Sequence, residues 1–160
     1  MTDNQSWSSL LASILTEFNC ETGTIHQSHD GKNLNLVCQI GVPDSLLDKI
    51  SIIQFGKGIA GVAAESKQPV ELCNLQRDLG GVAKPDARQT GVSGALAVPI
   101  FAPENDQVIG TLGVGKFAPY EFTTEEKENL ASHARQIAKV LLTNTPEVID
   151  PAGDVIRLYP

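Results

Sequence analysis

The three cysteines carry the strongest nucleophiles in this chain, and their spacing limits what they could do. Cys20, Cys38 and Cys73 are far apart, and no C-x-x-C pair occurs. A thiol enzyme of the reductase type needs a thiolate with a resolving thiol close by. The odd count and wide spacing favour free thiols in a reducing compartment, so we expect a cytoplasmic protein without a disulfide framework.

The histidines do not form a metal-binding pattern. None lies at zinc-ligand spacing from the cysteines. Strand alternation places His26 on one face with Thr24 and Ser28. A metal or haem ligand is one interpretation of His26, but one imidazole does not make a metal site. We therefore interpret His26 as a partly exposed strand residue, and we expect no metal and no cofactor.

A glycine-rich turn follows the strand that we predict at residues 50–55. Residues 56–61 read G-x-G-x-x-G, a pattern that can hold dinucleotide phosphates at a helix N-terminus. That function also needs a longer helix and an acidic residue about twenty positions on. The helix predicted here ends near Ser66, and Glu71 comes too early. We interpret the glycines as a tight turn between a strand and a helix.

Length and charge limit the class of protein. A chain of 160 residues is expected to form one domain, and its net charge of −7 disfavours nucleic acid and anionic membranes as partners. No run approaches the ~20 apolar residues of a membrane span. The acidic and polar N-terminus, MTDNQSW, lacks the pattern of a signal peptide.

Hydrophobic periodicity predicts a helix at each end of the domain. The first carries Trp7, Leu11, Ile14 and Phe18, and the second carries Leu130, Ala134, Ile137 and Leu141 after a capping box at Thr123 and Glu126. Both apolar stripes could build a four-helix dimer interface or could simply cover a sheet. We expect a homodimer.

The segments between these helices read as strands. We expect them at residues 22–29, 34–40, 50–55, 70–74, 93–102 and 108–117, with Asp30-Gly31 at the turn of the first hairpin. Pro99 falls inside the fifth strand, where proline usually marks an edge or a bulge. Gly113 and Gly115 share a face that admits a close neighbour, either a packed helix or a ligand, and we favour the helix.

The order of these motifs resembles a GAF domain. A GxGIAGxAAESxQPVxL segment, a polar loop, an SGALAVPIF strand and VIGTLGVGKF follow one another. The resemblance covers about residues 5–142. It implies an α+β fold, a GAF/PAS-like antiparallel sheet of five or six strands with N- and C-terminal helices packed on one face and a ligand pocket on the other. Residues 143–160 are a C-terminal extension, either a short hairpin or disordered.

The resemblance also implies where a ligand would bind. The long polar connection from residue 75 to 92 is the expected lid. Arg88, if it points inward, would favour an anionic ligand such as a carboxylate or nitrate. Apolar walls would come from Phe55, Ile59 and Leu75, and polar contacts from Asn74, Arg88, Gln89, Thr90 and Ser93.

Three functions are open at this point. The first is a sensory or regulatory domain that binds a small molecule and acts as a dimer or through a regulatory partner protein. The second is an enzyme similar to the free methionine-(R)-sulfoxide reductases of the family. Their cysteines lie in the glycine-rich turn and the lid, where this chain has Ala60 and no cysteine. The third is a dimerisation module without a ligand. We favour the first, and expect no catalytic residues.

Two further motifs resemble family subtypes and depart from them. Bilin-binding members usually carry histidine after the pigment cysteine, whereas Asn74 follows Cys73 here. Cyclic-nucleotide members carry Asn-Lys and later Asp-Glu, whereas this chain has Gly115 for the asparagine and Glu125 for the aspartate. The resemblance implies an ion pair of Lys116 with Glu125, which would join the last strand to the last helix, and the departures argue against a cyclic nucleotide.

Overall fold

The structure is a computed structural model, and it describes residues 3–73, 91–143, 147–149 and 155–157. The first half of the chain forms α1 (Asp3–Phe18), β1 (Thr22–Gln27), β2 (Asn33–Ile40), a 3₁₀ turn (Asp44–Leu46), α2 (Leu47–Ile50), β3 (Ile52–Gln54) and α3 (Gly58–Ser66). The rest forms β4 (Val70–Leu72), β5 (Gly94–Phe101), β6 (Val108–Lys116), α4 (Thr124–Thr143), β7 (Glu147–Ile149) and β8 (Val155–Arg157).

Six of the strands form one antiparallel sheet in the order β3-β2-β1-β6-β5-β4. The predicted α+β architecture is therefore confirmed. The first hairpin turns at Asp30, whose Oδ1 accepts hydrogen bonds from the backbone N–H groups of Lys32 (2.8 Å) and Asn33 (2.9 Å). Gly31 supplies the left-handed backbone that this turn requires, with φ of 71°.

One face of the sheet carries both long helices. α1 packs against β1 and β2, and α4 packs against β5 and β6. The large side chains of this face, including Ile25, Val98 and Leu112, form the core together with the predicted stripes of the two helices. Leu130 and Ile137 are fully buried there. The stripe of α4 that suggested a dimer interface is therefore covered by the chain's own sheet.

The predicted capping box begins α4. The hydroxyl of Thr123 accepts from the N–H of Glu126 (3.0 Å), and a carboxylate oxygen of Glu126 accepts from the N–H of Thr123 (2.8 Å). The Tyr120 hydroxyl also donates to this carboxylate. Partial burial alone would raise the pKa of Glu126, but these hydrogen bonds outweigh burial and lower it.

The structure does not show the Lys116–Glu125 ion pair that we expected. Instead, the ammonium group of Lys116 donates to the carbonyl oxygens of Phe18 (2.7 Å) and Asn19 (2.9 Å), where α1 ends. The carbonyl groups at a helix C-terminus have no partner within the helix and attract a cation. Lys116 therefore joins the last strand of the sheet to the first helix.

Pro99 lies inside a strand because of where the neighbouring strand ends. β4 pairs with β5 only between Ala95 and Ala97. Beyond Ala97, among the described residues, β5 pairs with β6 alone, and Pro99 lies opposite Thr111. A proline is tolerated where a strand has a neighbour on one side only.

The end of the chain contains a second, two-stranded sheet. Glu147–Ile149 of β7 pair antiparallel with Val155–Arg157 of β8.

Candidate functional site

The second face of the sheet is lined by small and polar residues. Cross-strand pairing places Thr24 of β1 opposite Gly113 of β6, and Gly113 opposite Ala97 of β5. The next row in the same direction is Thr22, Gly115 and Ala95. Since paired residues of an antiparallel sheet point to the same face, these two rows form a shallow floor.

A cavity of about 630 Å³ lies over this floor. α3 packs across β5 and β6, and α2 with β3 forms the other wall. Ile59 and Val92 pack with Ala95 on the same face. The lining is mostly apolar. The described residues that contribute to it are Thr22, Gly23, Thr24, His26, Val42, Leu46, Lys49, Ile50, Ile52, Ile53, Gln54, Lys57, Gly58, Ile59, Ala60, Val92, Ala95, Leu96, Ala97, Gly113, Val114 and Gly115. The predicted pocket opposite the terminal helices is therefore present.

Two glycines keep the floor open. A Cβ atom on Gly115 would lie 2.5 Å from Oγ1 of Thr22 and 2.9 Å from a methyl carbon of Val92. A Cβ atom on Gly113 would lie 3.1 Å from Oγ1 of Thr24. We favoured a helix over a ligand as the close neighbour of these glycines. The long helices pack on the other face, and α3 packs on this face, but the atoms nearest to the two Cβ positions belong to Thr22, Thr24, Leu96 and Val92, and both glycines line the cavity.

The glycine-rich segment forms the tight turn that we predicted. The N–H of Gly56 donates to the carbonyl oxygen of Gly61 (2.7 Å), and Gly56 and Gly58 have φ of 87° and 66°. Only glycine adopts such angles without strain. α3 begins directly at Gly58 and ends at Ser66. The turn therefore brings Gly58, Ile59 and Ala60 to the mouth of the cavity.

His26 is buried, contrary to our interpretation of it as a partly exposed residue. Its side chain is 1% exposed and lies at the cavity floor. The Nε2 atom lies 2.8 Å from the carbonyl oxygen of Ile50, at the end of α2. Burial lowers the pKa of His26, although the hydrogen bond to Ile50 opposes that shift. Imidazole in such a site is neutral at pH 7.

The described residues contain three of the eight side chains that we predicted to contact a ligand. Ile59 lines the cavity. Phe55 instead packs with Leu34, Ala64 and Val108 beside a second hollow. Ser93 is buried but is not part of the lining, and its N–H donates to the carbonyl oxygen of Lys116 (2.8 Å). Asn74, Leu75, Arg88, Gln89 and Thr90 lie outside the described residues, as does most of the expected lid.

Sequence reasoning missed the residues of the floor. Thr22, Thr24 and His26 alternate along β1, and Gly113 and Gly115 alternate along β6. This period of two was visible in the sequence as small or polar residues between large apolar ones. It indicates a face that neither of the two long helices covers.

All three cysteines are described, and none lines the cavity. Cys38 belongs to the core, as expected of an apolar filler. Burial raises the pKa of Cys20 to about 11. Desolvation and the carboxylates of Glu71 and Glu121 raise the pKa of the exposed Cys73. These environments disfavour the thiolate form that a nucleophilic cysteine needs.

The described residues form neither a metal site nor a membrane span. They contain no group of three or more histidine, cysteine, aspartate or glutamate side chains that could hold a metal ion. Within the same ranges no helix has the length and apolar character needed to cross a membrane.

The sheet order, the helix placement and the cavity define a known class of domain. Residues 5–141 match the sequence model of the GAF domain, so the chain belongs to the GAF domain family. A search of curated proteins found no match.

Solved structures with this fold come from proteins of different activities. The GAF domain of an Acinetobacter phosphoenolpyruvate-protein phosphotransferase superposes with a TM-score of 0.67 at 15% identity, covering 84% of this chain and 78% of that one. A domain of a putative two-component sensor histidine kinase from Sinorhizobium meliloti gives 0.66 at 14% identity, covering 86% and 90%. Type II free methionine-R-sulfoxide reductase from Thermoplasma acidophilum gives 0.65 at 17% identity, covering 85% and 92%. At these identities the likeness concerns the fold alone.

Proposed function

We propose that this protein is a sensory or regulatory GAF domain that binds a small molecule in the cavity between the sheet and α3. The observation that carries the proposal is the cavity of about 630 Å³ with its mostly apolar lining and a few polar groups. Ligand sites of proteins usually combine these features. The likeness to a domain of a sensor histidine kinase is compatible with this function.

The composition of the floor supports binding rather than packing. A sheet face covered by its own helices carries large side chains, as Ile25, Val98 and Leu112 do here. On the cavity face, the adjacent positions of the same strands carry threonine, alanine and glycine. Their small volume leaves space that the described part of the chain does not fill.

We further propose that the protein acts as a homodimer or through another protein. The apolar stripes of α1 and α4 are buried within the chain and are not free for this contact. A dimer would therefore use the outer faces of these helices, where Val140 of α4 is partly exposed. A cytoplasmic location stays a prediction from the cysteine pattern.

A reductase is the weaker proposal. Three solved structures of free methionine-R-sulfoxide reductases share the fold. In this chain, however, Cys20, Cys38 and Cys73 all lie outside the cavity lining, and the pKa values of Cys20 and Cys73 are raised. Thiol chemistry on a molecule in the cavity therefore lacks a nucleophile there.

A cavity-filling substitution tests binding directly. Native mass spectrometry of freshly purified protein, beside a denatured spectrum, would detect a retained ligand and count subunits, and a fragment screen by NMR would find weaker ligands. Ala97→Leu fills the floor, and we expect it to weaken binding at least tenfold while the fold remains. Ala118→Leu, at an exposed position, is the matched control and should bind like the wild type.

Two outcomes would contradict the proposal. Unchanged affinity in a folded Ala97→Leu protein would place the ligand elsewhere. A ligand-free dimer that binds nothing in the fragment screen would favour a dimerisation module.

A further inference from the structure

Geometry fixes the protonation of the buried His26 side chain. Its Nε2 atom lies 2.8 Å from the carbonyl oxygen of Ile50. A carbonyl oxygen only accepts hydrogen bonds, so Nε2 carries the proton of a neutral imidazole. In that tautomer, the other ring nitrogen, Nδ1, presents a lone pair and accepts a hydrogen bond.

No described residue provides a partner for the lone pair of Nδ1. It is buried and makes no hydrogen bond with the residues that the structure describes. Thr111 lies directly opposite His26 on β6, and its buried hydroxyl also lacks a partner there. A buried polar group without a hydrogen bond costs about 1–3 kcal/mol. Two such groups lie opposite each other on β1 and β6, so a donor from another molecule would remove part of this cost.

The surroundings of His26 limit the chemistry of that molecule. The cavity lining is mostly apolar, and burial holds the imidazole in its neutral form. A neutral acceptor pairs with an N–H or O–H donor, and His26 itself gives no charge to balance an anion. The charged residues of the described lining, Lys49 and Lys57, are both exposed. The shallow rows of Thr24, Gly113 and Ala97 beside His26 leave space along the sheet for a flat group.

We propose that Nδ1 of His26 accepts a hydrogen bond from the N–H or O–H group of a flat, mostly apolar ligand lying on the cavity floor. The inference rests on the proposed function, because it assigns a ligand class to the same cavity. His26 thereby becomes the residue that selects ligands carrying a donor over ligands of the same shape without one. Discrimination of this kind is strong when a missing donor leaves a buried acceptor unpaired.

A matched pair of probes tests the hydrogen bond. Indole is flat and apolar and has one N–H donor, and 1-methylindole has the same ring system without that donor. Each is titrated into ¹⁵N-labelled protein, and the imidazole nitrogens of His26 are followed with the backbone amides of Gly113 and Gly115. We expect indole to bind roughly tenfold more tightly than 1-methylindole. We also expect indole alone to move the Nδ1 resonance upfield, as acceptance of a hydrogen bond does.

Variants assign the preference to His26. His26→Phe keeps a ring of similar shape without the nitrogens, and it should bind both probes equally. His29→Phe is the matched control at an exposed position of the same hairpin, and it should keep the tenfold preference. The wild-type titration needs no variant, so a His26→Phe protein that fails to fold leaves the test intact.

The outcomes separate this inference from the proposed function. If both probes shift the amides of Gly113 and Gly115 with equal affinity and Nδ1 does not move, His26 is not the selecting residue but the cavity is still a binding site. The same conclusion follows if Nδ1 is already hydrogen-bonded to water and indole leaves it unchanged. If neither probe shifts these amides, both the inference and the proposed cavity are wrong.

Discussion

Strands β1, β5 and β6 contribute residues to both faces of the sheet, and the two faces differ in side-chain size and packing. Toward α1 and α4, residues such as Ile25, Val98 and Leu112 fill the space completely. Toward α3, their neighbours on each strand, such as Thr24, Ala97 and Gly113, leave a cavity. One face holds the domain together, and the other provides space for a ligand.

This difference separates stability from binding within single strands. Adjacent residues of a strand point to opposite faces. A change at Leu112 therefore acts on the packed core, whereas a change at Gly113 acts on the cavity. Substitutions on the packed face should consequently change the free energy of unfolding, and substitutions on the cavity face should change ligand affinity. Each prediction below tests that separation.

The largest effect is expected for Leu130→Asp, on the packed face. Leu130 is fully buried in the core. A carboxylate there would lose its hydration without gaining a partner, which costs several kcal/mol out of a typical total stability of about 5–15 kcal/mol. We expect most of the protein to unfold, as measured by circular dichroism and thermal denaturation. Ser132→Asp, exposed on the same helix, is the control. A Leu130→Asp protein as stable as the control would mean that the packed face is not the core.

A sharper test compares two neighbours on β6. Leu112→Ala should lower the free energy of unfolding by about 2–5 kcal/mol, because it leaves a void in a fully buried cluster. Gly113→Ala should change it by about 1 kcal/mol or less, since alanine restricts the unfolded chain while its Cβ presses on Thr24. Urea denaturation gives both values.

Binding should show the reverse order for this pair. In the indole titration, Gly113→Ala should weaken affinity more than Leu112→Ala does at a temperature where both variants are folded. Equal losses of affinity would mean that the two faces are not independent.

The smallest expected effect concerns Lys116, which connects the sheet to α1. Lys116→Met removes the hydrogen bonds to the carbonyl oxygens of Phe18 and Asn19, and should cost about 1 kcal/mol without changing affinity. Glu125→Gln should cost roughly half of that or less, because only its favourable position near the start of α4 is lost. Equal costs, measured by chemical denaturation, would support the ion pair that the sequence suggested.

The sequence predicts the packed face well and the cavity face poorly. The stripes of α1 and α4, the capping box at Thr123 and the hairpin at Asp30 follow from local spacing, and the structure confirms them. These features depend on residues within a few positions of one another. Local periodicity therefore contains the information.

The contacts of the cavity depend on residues far apart in the chain. The ring of His26 is hydrogen-bonded to the carbonyl oxygen of Ile50, which lies 24 positions later in the chain. Lys116 donates hydrogen bonds to carbonyl oxygens 97 and 98 positions earlier in the chain. The partner predicted from the sequence was Glu125, only nine positions later. A spacing rule cannot find such partners. These contacts form because the tertiary fold places the ends of α2 and α1 next to β1 and β6.

Pro99 also affects whether a strand of another chain can pair with this sheet. An open strand edge offers unpaired N–H and C=O groups on which another chain can form further strands, which leads to aggregation. The outermost strands, β3 and β4, are only three residues long. The apolar run of β5 extends beyond β4, and there a proline lacks the N–H donor that an incoming strand would use. Short outer strands and this proline thus leave few backbone N–H groups, among the described residues, to which an added strand could bind.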